Sequence, residues 1–96
     1  MNDYILLMHD DGGPETDAAW EAYFARLHQS GRFDGGSAIG QGKRCRKAGG
    51  AAEAMLPLTG FIRIRAENLA EAETFLAGNP VYEAGGTVEI RELPRD

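Results

Sequence analysis

The chain has 96 residues, of which 43% are hydrophobic and 26% charged, and its formal net charge is −5 at pH 7. This size and composition predict one folded domain over residues 1–96 and exclude long disordered stretches. The acidic balance argues against nucleic acid and membrane surfaces as partners, because both are anionic and would repel the chain.

The single cysteine, Cys45, cannot form an intrachain disulfide. We find neither the pattern of a secretory signal nor an apolar run long enough to cross a bilayer. These features predict a reduced, cytoplasmic protein.

Residues 4–8 form a short and almost wholly apolar run, and residues 9–14 are rich in aspartate, glycine and proline. The pattern predicts a strand that is buried on both faces and is followed by a loop. The next segment predicts a helix that begins at Thr16 or Asp17 and stops at Gly31. Its apolar face is made of Trp20, Tyr23, Phe24 and Leu27.

The middle of the chain predicts a less regular pair of elements. Residues 37–47 are polar and interrupted by glycines, which favours an edge or bulged strand. Residues 49–54 are small and suit a hairpin tip or surface loop. Residues 60–65 alternate as a strand does, with Ile62 and Ile64 on one face. The other face of that strand carries Phe61, Arg63 and Arg65.

The last third of the chain predicts a second helix and a fourth strand. Asn68 followed by Glu71 is the pattern of a capping box, and the predicted helix ends at residues 78–80. Its apolar stripe consists of Leu69, Ala72, Phe75 and Leu76. Residues 87–93 alternate again and predict a strand with Val88 and Ile90 pointing inward.

The order of elements predicts a β-α-β-β-α-β fold of the α+β class, ferredoxin-like, with a four-stranded antiparallel sheet and two helices on one face. The other face of the sheet, which we call the open face, has no helix to cover it. Because the first strand is apolar on both sides, one row among Ile5, Leu7 and Met8 must lie on the open face. We therefore expect a homodimer that packs through the open faces.

The order of these features resembles the YCII-related family, including its DGPF branch. The resemblance rests on residues 4–10, 27–31, 35–36, 60–66, 68–72, 79–80 and 88–93. The resemblance implies a dimeric α+β barrel and, as in some relatives, lyase or dehydrochlorinase-like chemistry by a His–Asp pair in a cleft. The family's histidine falls where this chain has Trp20, and residues 54–58 do not carry the DGPF motif.

The best catalytic candidate is His9, with Asp34 or Asp10 as the carboxylate that orients its imidazole. The alternative is a solvated turn whose carboxylates lie near the positive end of the following helix. The sequence favours this structural interpretation, and we predict no metal site. No cofactor is expected either, because the glycines lack the context of a phosphate-binding loop.

The open face also supplies candidates for ligand binding. Alternation places Arg63, Arg65 and Arg91 there, where guanidinium groups could bind a carboxylate. Phe61, on the same face, and Trp20 complete the predicted ligand-binding set. Trp20 lies on the first helix, where with Tyr23 and Phe24 it could line an apolar pocket between helix and sheet. The alternatives are ion pairs for the arginines, with Glu89 as one partner, and a role in the core for the aromatic residues of the first helix.

These candidates lead to three functional hypotheses. The first is a homodimeric domain that binds a small carboxylate-bearing or aromatic molecule in a cleft at the open face. The second is a lyase or isomerase of the dehydrochlorinase or muconolactone-isomerase type. The third is a non-catalytic dimerisation or accessory module.

Overall fold

The computed structural model describes residues 1–48 and 57–95. Its strands are β1 (Asn2–His9), β2 (Phe33–Ala38), β3 (Leu58–Ala66) and β4 (Val88–Leu93). Its helices are α1 (Asp17–Ser30), α2 (Leu69–Glu73), which continues into a turn of 3-10 helix (Thr74–Leu76), and α3 (Pro80–Glu83). The strands form one antiparallel sheet in the order β2-β3-β1-β4. The predicted ferredoxin-like α+β fold is confirmed, whereas the loop predicted at residues 49–54 lies outside the described residues.

One face of the sheet carries the hydrophobic core. Tyr4, Leu6 and Met8 of β1 and Ile62 and Ile64 of β3 are buried in one cluster with side chains from all three helices. The helical members of this cluster are Tyr23, Leu27, Ala72 and Val81. All helices therefore cover the same face, as predicted. Within the described ranges, no helix is both long enough and apolar enough to span a membrane.

Helix α1 begins and ends where its capping residues predict. The Thr16 side chain accepts a hydrogen bond from the Ala19 amide at 3.1 Å, which satisfies one of the free amides of the first turn. At the other end, Gly31 adopts φ 72° and its amide donates to the His28 carbonyl at 3.2 Å. A residue with a Cβ is strained in this left-handed conformation, so glycine ends the helix at low cost.

Strand β2 lies earlier in the chain than predicted. The prediction of a strand over residues 37–47 was wrong, because pairing ends at Ala38 and residues 41–48 are irregular. The prediction of a bulged edge strand was correct. Between Phe33 and Gly36 the register against β3 shifts, and Gly35 takes φ 106° at this bulge. Glycine tolerates this positive φ and so permits the bulge. The strand can therefore begin at Phe33, soon after α1 ends.

The second helical region is shorter and more broken than predicted. The Asn68 side chain caps α2 as expected, accepting from the Glu71 amide at 2.9 Å, but Leu69 is 49% exposed and does not join the buried stripe. Helix α3 was not predicted. The buried side chain of Asn79 caps it by accepting from the Val81 and Tyr82 amides at 3.0 and 3.1 Å. Proline at the first position of α3 suits a helix start, where its missing amide costs nothing.

The open face has an apolar centre with charged flanks. Ile5 of β1 lies between Arg63 and Arg91 in the sheet register, and Leu7 lies between Phe61 and Glu89. Ile5 and Leu7 are both only half-buried. Met8, the third residue considered for this row, points into the core instead.

The loop after β1 is tied to the start of β4. The Asp11 carboxylate accepts from the Thr87 amide at 2.8 Å and from the Thr87 hydroxyl at 2.6 Å. These hydrogen bonds favour the ionised form and lower the pKa of Asp11. The tie fixes the loop between β1 and α1 to the start of β4.

Close packing of β2 against β3 predicts a specific effect of a methyl group at Gly36. A Cβ there would collide with the Phe61 carbonyl oxygen, so Gly36→Ala should lower the free energy of unfolding by about 1–3 kcal/mol. Gly40→Ala is the matched control, because a Cβ at Gly40 would meet nothing within 4 Å. It should change the free energy of unfolding by less than about 0.5 kcal/mol. Urea unfolding measures both, and equal stabilities of the two variants would contradict the close approach.

Candidate functional site

A cavity of about 360 Å³ lies between the N-terminal half of α1 and the β2–β3 edge of the sheet. Binding sites for small molecules span roughly 300–1,000 Å³, so this volume lies at the small end of the range. An apolar cavity of about 150 Å³ can hold benzene, so this volume is sufficient for a substituted ring. The lining consists of Met8, Glu15, Trp20, Phe24, Phe33, Gly36, Ser37, Ala38, Thr59, Gly60, Phe61 and Ile62.

The cavity exists because an aromatic helix face lies above small residues of the sheet. Ala38 of β2 is paired with Gly60 of β3, and Gly36 is paired with Ile62. A Cβ on Gly60 would lie 3.1 Å from Met8 Cε, so a larger residue at this position would push into the core. Gly36, Ala38 and Gly60 have little or no side chain, so the space between them and the helix stays empty.

The wall of the cavity is a chain of packed rings. Trp20 stacks on Phe24 with 5.4 Å between ring centroids and 25° between ring planes. Phe24 in turn packs against Phe33 of β2 at 5.7 Å. Trp20, Phe24 and Phe33 are half-buried and border the core without being sealed in it. Helical spacing favoured a core role for these aromatic residues, but Trp20 and Phe24 also present ring surface to the cavity.

Glu15 supplies a carboxylate to the cavity. It precedes the N-cap of α1, and its Oε1 accepts a hydrogen bond from Trp20 Nε1 at 2.9 Å. Among the lining residues that the structure describes, Glu15 is the one with an ionisable side chain. The other polar lining groups are the hydroxyls of Ser37 and Thr59, and Ser37 Oγ donates to the Ala38 carbonyl at 2.8 Å.

The predicted catalytic histidine lies on the other face of the sheet. The His9 side chain is only 13% exposed, and its Nε2 is 3.6 Å from Glu89 Oε1, beyond hydrogen-bond distance. Within residues 1–48 and 57–95, this buried nitrogen has no hydrogen-bond partner. Glu89 Oε2 instead accepts from Arg91 Nη1 at 3.1 Å.

Of the two carboxylates proposed to orient His9, Asp34 lies far from it in the sheet. Asp10 is exposed in the loop after β1. Asp34 lies near the opposite end of the sheet: it follows Phe33, which pairs with Ile64, and Ile64 pairs with Tyr4. His9 is five residues further along β1 than Tyr4, or roughly 17 Å at the rise of a strand. The structure therefore does not bring His9 and Asp34 together, and a catalytic role for either remains a prediction.

Two of the three open-face arginines are engaged in ion pairs within the chain. Arg65 Nε donates to Asp34 Oδ2 at 2.9 Å, and Arg65 Nη2 donates to the Gly31 carbonyl at 2.7 Å. Arg91 pairs with Glu89 as described above. Arg63 is exposed. Ligand binding by these arginines remains a prediction. A ligand carboxylate at Arg65 or Arg91 would have to replace Asp34 or Glu89.

The predicted ligand-binding residues thus divide between two faces. Arg63, Arg65 and Arg91 lie on the open face, whereas Trp20 lines the cavity on the helix side. Phe61 pairs with Leu7 of the open-face row and also borders the cavity. Sequence reasoning missed Glu15, Phe33 and Gly60 as lining residues. The signal that could have found the cavity is the occurrence of glycine and alanine at positions that face an aromatic helix. The part of the chain that is described also holds no group of three metal-binding side chains.

Comparisons with known proteins identify relatives of the chain. A family model, described as the YCII-related domain, matches residues 3–95. Among solved structures, the chain is similar to 5-chloro-2-hydroxyhydroquinone dehydrochlorinase (TftG) from Burkholderia phenoliruptrix in complex with 2,5-dihydroxybenzoquinone. The identity is 14% and the TM-score 0.56, over 98% of this chain and 95% of that chain. A search of curated proteins finds no match. At this low identity, the structural likeness supports the fold.

Proposed function

The chain belongs to the YCII-related family, and we propose that it binds a small molecule with one aromatic or quinone-like ring in the cavity between α1 and the sheet. The observation that carries the proposal is the cavity of about 360 Å³, which has stacked rings on one side and small residues on the other. A flat ring fits such a space and contacts Trp20 and Phe24. The similar dehydrochlorinase structure is a complex with 2,5-dihydroxybenzoquinone, which is also a molecule with one quinone ring.

This proposal places the ligand on the helix side, which the sequence offered only as the less favoured alternative through Trp20 and Phe24. The sequence favoured a cleft at the open face, with arginines as its binding groups. On the helix side, by contrast, the lining is mostly apolar and is already formed in the folded chain. A preformed cavity binds without the cost of breaking the ion pairs of Arg65 and Arg91.

Ligand binding can be followed through the single tryptophan of the chain, Trp20, which gives one indole N–H signal in a proton–nitrogen NMR spectrum. Titration with resorcinol, a stable dihydroxybenzene, should shift this signal with a Kd of about 1 mM, as expected for so small a ligand. Ala38→Leu fills the cavity and should weaken binding at least about tenfold, because the larger side chain takes the place of the ring.

Ala25→Leu is the matched control, since Ala25 is an exposed residue of α1 and does not line the cavity. It should leave the affinity unchanged. Failure of resorcinol to shift the indole signal, or equal weakening by both variants, would reject binding in the cavity.

A second proposal concerns the open face, which we propose is covered by another copy of the chain. The half-buried row of Ile5 and Leu7 supports it, because an apolar row on a sheet surface is stabilised when it is removed from water. The two proposals are tested separately, because the open face and the cavity lie mainly on opposite sides of the sheet.

Light scattering after gel filtration tests the dimer. The wild-type protein should elute at twice the 10.4 kDa chain mass. Leu7→Glu should convert it to a monomer, because a carboxylate at the centre of the interface would be buried without a partner. Leu69→Glu, at an exposed position on the helix side, should leave the dimer intact. A wild-type mass equal to one chain would contradict the proposal.

A lyase or isomerase activity is the second candidate function, and the Glu15 carboxylate favours it because it can accept a proton from a bound ring. Chloride release from 5-chloro-2-hydroxyhydroquinone, the compound in the name of the similar dehydrochlorinase, tests it. The proposal expects release that Glu15→Gln abolishes. If the ligand binds but no chloride appears, that chemistry is rejected, and if no ligand binds, an accessory module becomes the better interpretation.

A further inference from the structure

We infer that Glu15 selects ligands of the cavity by charge, so that rings with a neutral or cationic hydrogen-bond donor bind better than rings with a carboxylate. This inference rests on the proposed binding in the cavity and adds the class of ligand. It also replaces the expectation of a carboxylate-bearing ligand, which was based on the arginines of the open face.

The orientation of Glu15 is the first argument. Trp20 is held by stacking on Phe24 and by an edge contact with Tyr23 at 6.2 Å. Its indole N–H therefore has a defined direction, and it holds Glu15 Oε1 at 2.9 Å. A carboxylate offers about four acceptor positions, of which the indole uses one. Glu15 can thus accept a further hydrogen bond from an O–H or N–H group of a bound ring.

The absence of a countercharge is the second argument. No lysine, arginine or histidine belongs to the described lining. Arg65 and Arg91 lie on the opposite face of the sheet and are paired with Asp34 and Glu89. A ligand carboxylate in the cavity would therefore meet the negative charge of Glu15 without a cation among the described lining residues, and would lose hydration as well.

The size of the effect follows from the exposure of Glu15. Its side chain is open to solvent, so water and salt weaken its interaction with a ligand charge, and each such contact changes affinity by about fivefold at most. Glu15 raises the affinity for a cationic ring and lowers the affinity for an anionic ring, so both effects enlarge the ratio of the two affinities. The affinity ratio between a cationic and an anionic ring of equal size should accordingly be about tenfold.

Three probes of nearly equal size test this inference: benzylamine, benzyl alcohol and benzoate, each titrated while the Trp20 indole signal is followed. Benzylamine should bind about tenfold and benzyl alcohol about threefold more tightly than benzoate. In Glu15→Gln both ratios should fall to within about twofold. High salt should also bring the two wild-type affinity ratios closer to one, because salt screens the charge of Glu15.

Glu21→Gln is the matched control, because it removes one exposed carboxylate from α1 outside the cavity and changes the net charge equally. It should keep the wild-type ratios, and Glu15→Asp should keep benzoate as the weakest ligand. Benzoate binding as tightly as benzylamine, or equal effects of Glu15→Gln and Glu21→Gln, would overturn the inference while binding in the cavity stands. If none of the three probes shifts the indole signal, binding in the cavity itself fails.

Discussion

Strand β1 has apolar side chains on both faces, whereas the helices of the described chain cover only one of them. Tyr4, Leu6 and Met8 belong to the core, which holds α1, α2 and α3 against the sheet. Ile5 and Leu7 face the other way. Because β1 is flanked by β3 and β4, this difference between the two faces extends across the sheet and separates the packed side from the open face.

The same sheet also creates the cavity, through a mismatch at its β2 edge. Beneath the aromatic face of α1, β2 offers only Gly36 and Ala38 where β1 offers Leu6 and Met8. The α1 rings that reach beyond β1 therefore border empty space. Packing that is complete over β1 and incomplete over β2 accounts for both the stable core and the candidate binding site.

Much of the fold could be predicted because its signals are local. Thr16 and Gly31 bound α1 through capping geometry, and alternation around Ile62 and Ile64 identifies β3 and its faces. The bounds of β2 were missed, since its pairing depends on a bulge at Gly35 and on contacts with β3 that no local pattern reveals. Helix α3 was missed because it has only four residues, which are too few for helical periodicity to appear.

The candidate site was harder to predict than the fold. Sequence alternation correctly placed the arginines on the open face, but it could not show that Arg65 pairs with Asp34 from a neighbouring strand. The cavity depends on which small residues lie opposite Trp20 and Phe24, and that is set by the pairing of β2 with β3. Glu15 lies in a loop without periodicity, so only its contact with the Trp20 indole reveals its position.

The central claim is that a ligand binds on the helix side of the sheet, and nuclear Overhauser effects between resorcinol and methyl groups test it most directly. Met8 borders the cavity, whereas Ile5 and Leu7 lie on the open face. We predict effects from the ring protons of resorcinol to the Met8 methyl group and to the Trp20 indole, with none to Ile5 or Leu7. Effects to Ile5 and Leu7 without any to Met8 would place the ligand on the open face and contradict the account.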